Sequence, residues 1–91
     1  PKAKLVFLVD ADRRAITTGG PTKPIATSPV IAQFCARSDC LHLDLTAPFT
    51  AAWKRTGNPL NFAHNDHWNA NAHDLAASAL YSALQKRGWL R

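Results

Sequence analysis

No stretch of this chain approaches the roughly 20 apolar residues that span a bilayer. Its most apolar run, Leu5-Val6-Phe7-Leu8-Val9, is also too short for the core of a secretion signal. No membrane span is expected, and the sequence leaves open a secreted, periplasmic or cytoplasmic location. Methionine is absent and the chain opens on Pro1. A processed product or an excised segment is therefore expected, with any leader lying upstream. Cysteine is scarce, and Cys35 and Cys40 do not form a Cys-x-x-Cys pair. That argues against a dithiol redox motif and a cysteine zinc site. Flanking a helix-to-strand turn, the two fit either a disulfide closing a short loop, which stabilises little, or two free thiols. Acidic residues are few, 6 against 11 Lys and Arg, for a formal net charge of +5. The cations are scattered in ones and twos from Lys2 to Arg91. That distribution reads as a solvated basic surface and argues against a nucleic-acid interface.

The 91 residues suffice for a single domain, 1–91, with a small core. No internal repeat or low-complexity tract interrupts it. Ala3 to Val9 reads as a strand buried on both faces, as in a parallel sheet. Asp10 to Thr27, with Gly19, Gly20, Pro21 and Pro24, reads as a long loop. Ser28-Pro29 opens a helix, with Ser28 as the expected N-cap and an apolar face of Val30, Ile31, Phe34 and Cys35. Ser38-Asp39 ends it.

Leu41, Leu43 and Leu45 alternate with His42 and Asp44, a strand signal that leaves His42 as a surface or interlayer residue. Thr46 is the expected cap of the next helix, which Gly57-Asn58-Pro59 stops. A loop dense in His, Asn and Asp follows. Asn69 caps the last helix, Ala70 to Arg87, where Leu75, Ala76, Ala79, Leu80, Ala83 and Leu84 recur at helical spacing before Gly88. The order strand, helix, strand, helix, helix predicts part of an α/β layered fold.

Titratable groups concentrate in His64-Asn65-Asp66-His67, just before that helix. A histidine beside a carboxylate is the acid/base half of a Ser-His-Asp arrangement. The imidazole takes the nucleophile's proton, and the carboxylate orients it and stabilises its charged form. Three histidines and a carboxylate (His64, His67, His73, Asp66) also suit zinc by type, but match no recognised zinc motif. Trp53, Trp68 and Trp89 read as packing residues, and His73 as structural. Asp10, Asp12 and Arg13 stand at the C-terminal end of the first strand, where α/β folds place ligands.

His67-Trp68-Asn69, then Ala72-His73, then Leu75-Ala76-Ala77-Ser78-Ala79-Leu80 resembles the C-terminal catalytic block of SGNH/GDSL-type serine hydrolases. In that family an Asp stands two or three residues before the catalytic His. Many bacterial members read Asp-x-His-Trp-Asn followed by Gly-His and an alanine-rich helix. Leu41 to Thr46 is similar to the strand that leads to the block, and the likeness covers roughly Leu41 to Leu90. It implies a partial flavodoxin-like fold, with a short parallel sheet and flanking helices. It implies a serine esterase or acyl hydrolase with His67 as general base, acting on an ester or an acylated small molecule or carbohydrate. Neither cofactor nor metal is implied.

Two positions depart from the family pattern. Asn65 and His64 stand two and three before His67, so the orienting group is either Asp66, directly adjacent, or Asn65. Ala72 replaces the usual Gly. The family's Gly-Asp-Ser block does not occur here. The nucleophile is therefore expected from an upstream part of the same domain, and self-association is expected if no such part covers the sheet edge. The alternatives are a non-catalytic binding module, with a carbohydrate-binding or basic contact surface, and a degenerate relative of the family.

Overall fold

In a computed structural model, residues 3–23 and 25–90 are described. Pro1, Lys2, Pro24 and Arg91, read above as the chain start, surface cations and a loop proline, lie outside the described residues. The elements run β1 (Leu5–Val9), α1 (Arg13–Thr18), α2 (Ser28–Arg37), β2 (Cys40–Asp44), α3 (Thr46–Thr56) and α4 (Ala70–Lys86). The two strands pair in parallel, Leu5 opposite Cys40 through Val9 opposite Asp44. The small mixed α/β domain expected from the sequence is present.

The alternation in β2 explains how the layers sort. Side chains two apart share a face of a strand. Cys40, His42 and Asp44 all bond to α2: Cys40 by a disulfide to Cys35, His42 and Asp44 through the Ser28 hydroxyl. Of the two leucines between them, Leu43 packs against the apolar core on the other side. That core joins Ala11, Ile16 of α1, Leu45, Phe49 of α3, Leu60, and Ala72 and Ala76 of α4. Leu45 and Phe49 are completely buried. Helix α2 contributes no hydrophobic residue to the core, and its Val30 and Phe34 are exposed. Beyond its polar and covalent tethers it has an edge-to-face contact of Phe34 with Phe7, ring centroids 6.2 Å apart.

Four expectations need correction. The stretch from Asp10 to Thr27 is not all loop. It holds the six-residue α1, capped by the Asp12 carboxylate on Ala15 N–H and ended by Gly19 at φ 75°. Asp12 and Gly19 are its start and stop signals, and the helix between them is too short for an apolar periodicity to show. Strand β1 is not buried on both faces: Leu5 and Leu8 are exposed, and among the described residues β2 alone pairs with it. Ser28 is not the N-cap of α2. Thr27 holds that place without a side-chain cap bond, while the Ser28 hydroxyl turns inward. Thr46 likewise is the first residue of α3, not its cap. Leu45 holds the cap position, and the Asp44 carboxylate accepts the Thr46 N–H at 2.8 Å.

The expected cap at Asn69 is present, its side chain accepting the Ala72 N–H at 3.0 Å. Cys35 and Cys40 are joined, Cα atoms 4.9 Å apart, which settles the open choice between disulfide and free thiols. At the far end of α4, Arg87 donates to the Cys40 carbonyl and pairs with exposed Asp39 at 3.0 Å. The Trp89 ring lies against Arg87 and Lys4.

Candidate functional site

Two clusters of polar, titratable side chains lie outside the C-terminal ends of the parallel strands. One is built around Asp10, which follows β1, and the other around Asp44, which ends β2.

The Asp10 cluster holds the loop between α3 and α4. Its stem is an isolated antiparallel bridge between Asn61 and Trp68, with Phe62 N–H donating to the His67 carbonyl and Asn69 N–H to the Leu60 carbonyl. The Asn69 amide ties the stem base by donating to the carbonyls of Pro59 and Asn61. At the tip, the Asn65 side chain accepts the His67 N–H at 2.9 Å, an Asx turn. Trp68 anchors the return strand. Its ring lies edge-on to Phe49 in the core and to His73 on α4, and its Nε1–H donates to Asp10 Oδ1 at 3.1 Å.

Arg13 completes the cluster. Its guanidinium donates to Asp10 Oδ2 at 3.2 Å, to the Asp66 carbonyl at 2.7 Å and to the Asn61 side-chain oxygen. A depression of about 300 Å³ is lined by Asp10, Arg13, Asp66, His67, Trp68 and His73. His67 and Asp66 are both exposed. No ion pair or hydrogen bond joins the Asp66 carboxylate to the His67 ring. The structure thus brings His67 into a cleft with two carboxylates and an arginine, but leaves its imidazole free. Sharing a loop thus does not make Asp66 and His67 a bonded pair. His64 lies at the exposed tip and does not line the depression.

The Asp44 cluster was missed in the sequence because its members are 14 and 16 positions apart. The Ser28 hydroxyl stands 2.7 Å from His42 Nε2 and donates to Asp44 Oδ2 at 2.7 Å. Burial alone pushes the Asp44 carboxyl up. The Thr46 side chain opposes this, together with the Ser28 hydroxyl, the Thr46 N–H and the nearby His42 ring. The net result holds Asp44 below the ordinary carboxylate range.

Serine, histidine and aspartate are all present, but in the wrong order for nucleophilic catalysis. In a triad the histidine sits between the other two and takes the serine's proton. Here the serine sits between them, donates its hydrogen bond to the aspartate, and is 3% exposed. A substrate cannot reach it. A larger depression, about 710 Å³, opens beside Asp44 over Thr46, Thr50 and Lys54, and shares no lining residue with the His67 depression. Among the described residues, no group of three or more His, Cys, Asp or Glu is placed to hold a metal ion. None of the described helices is long and apolar enough to cross a membrane.

No family model, curated protein or solved structure matches this chain.

Proposed function

We propose that this chain carries the histidine half of the active site of an SGNH-type esterase or acyl hydrolase. The two parallel strands are read as part of a flavodoxin-like sheet, and His67 as the general base. The nucleophilic serine is supplied by sequence outside these 91 residues. The observation that supports this best is the placement of His67. Its imidazole is exposed and unengaged, on a loop anchored from both sides, in a depression outside the C-terminal ends of parallel strands. That is where α/β folds bind ligands. A general base must be free to meet the group whose proton it takes. Asp66 lines the same depression and is the proposed carboxylate partner. The substrate class is an ester of a small molecule or carbohydrate.

The test is hydrolysis of p-nitrophenyl acetate by the polypeptide as encoded. His67→Ala is expected to remove turnover, and turnover retained at the parent rate sinks the proposal. The absence of a bond between Asp66 and His67 favours a second reading, a non-catalytic binding module. Under it the encoded polypeptide shows no turnover, and sugar binding survives His67→Ala.

A further inference from the structure

We infer that Asp10 and Arg13 form a positioning clamp for His67, an inference that rests on the hydrolase reading for its catalytic part only. The loop carrying His67 has little apolar anchorage of its own. Phe62 through His67 are all exposed. Besides the Trp68 ring and the bonds within its stem, hydrogen bonds from one arginine distant in sequence hold it. Arg13 reaches Asn61 at the start of the loop and the Asp66 carbonyl just before His67, 48 and 53 positions away. Asp10 holds the Arg13 fork with one carboxylate oxygen and the Trp68 indole, just after His67, with the other. The residues on both sides of His67 are thereby fixed to the end of β1. A planar fork suits this better than a lysine, because the acceptors are met from two separate terminal nitrogens, whereas an ammonium donates from a single one.

The burial of the fork points the same way. Only 14% of the Arg13 side chain is exposed, and its Nε lies buried without a partner. Desolvating a guanidinium and leaving one N–H unpaired is unfavourable. The remaining bonds of the fork must offset that cost. The clamp is therefore more than the exposed ion pair that a cation three positions after a carboxylate usually makes. Arg13 and Asp10 are positioning residues, acting on the reaction through the loop.

The experiment uses the polypeptide as encoded and two readouts. Arg13→Ala is expected to lower kcat for p-nitrophenyl acetate about ten- to a hundredfold, with KM within about twofold. Arg13→Lys is expected to recover only part of the loss. Hydrogen exchange of the Trp68 indole N–H is expected to speed up about tenfold or more in Asp10→Ala, a readout that needs no turnover. Should Arg13→Ala fail to fold, Asp10→Ala serves for both measurements. If kcat is unchanged in Arg13→Ala while His67→Ala is inactive, the clamp is overturned and the hydrolase reading stands. If His67→Ala retains turnover, the hydrolase reading falls. Faster Trp68 exchange in Asp10→Ala then still supports the clamp as a loop anchor, and unchanged exchange overturns it.

Discussion

The two polar clusters flank the same pair of strands and contain similar residue types, yet they are built in opposite ways. On the α2 flank, His42 and Asp44 are both bonded to Ser28 and the serine is buried. On the α4 flank, Asp10, Arg13 and Trp68 are bonded to one another, and His67 is left exposed beside them. The first cluster has the composition of a catalytic triad and the geometry of a tether. The second holds no serine but presents an unengaged imidazole to a depression. Composition identifies residues able to do chemistry. Exposure and the direction of the hydrogen-bond chain decide which of them can.

The contrast has a packing cause. The α4 flank is held by apolar burial through Phe49, Leu60, Ala72 and Ala76, while Asp10 and Arg13 hold the loop and the His67 ring is left unbonded. The α2 flank buries no large apolar side chain of its own helix. It relies on a disulfide at one end of α2 and the Ser28 bonds at the other. A polar group used to hold a helix in place is satisfied and closed.

The largest stability effect is expected from striking the apolar flank. Phe49→Ala should cost about 3–5 kcal/mol in urea denaturation, since the ring is fully buried and supports Trp68. Phe34→Ala on the other flank should cost only about 1 kcal/mol, its ring being half exposed. Equal losses at the two sites would break the distinction. Next is Ser28→Ala, expected to cost about 1–3 kcal/mol, because it removes the one hydroxyl that joins α2 to both His42 and Asp44. A variant as stable as the parent would show that the tether carries no weight.

The smallest effect is a pH dependence. Asp44 is held below its ordinary value in the folded chain. Its contribution to stability is thus fully present above the unfolded carboxylate value near 3.9, and is lost as pH falls through the lower folded value. Melting temperatures between pH 5 and pH 2 should fall less steeply in Asp44→Asn. Parallel curves would sharpen the picture by assigning the tether to Ser28 and His42 alone.

Much of this was legible locally. The alternation in Leu41 to Leu45, the Asn69 cap and the spacing of Leu75, Ala76 and Ala79 each depend on neighbours within a few positions. They placed β2 and α4 to within a residue. Helix α1 was not legible, because six residues are too few for a periodic apolar face. The inward turn of Ser28 was hidden by its suitability as a cap, and Asp44 took over the capping of α3 from Thr46. In the sequence Arg13 stands out only as a residue at the end of a strand. Its partners Asn61 and Asp66 are far along the chain, and no local pattern announces a contact of that separation. For the same reason the dense loop from His64 to Asn69 pointed to His67, but not to what holds it.

On the proposed function, the open cluster carries the chemistry and the closed one does not. The most direct measurement is p-nitrophenyl acetate hydrolysis by the polypeptide as encoded, with His67→Ala and Ser28→Ala compared below both melting temperatures. The predicted result is a loss of at least about a hundredfold in His67→Ala, with Ser28→Ala within about twofold of the parent. Turnover that survives His67→Ala and is lost in Ser28→Ala would contradict it.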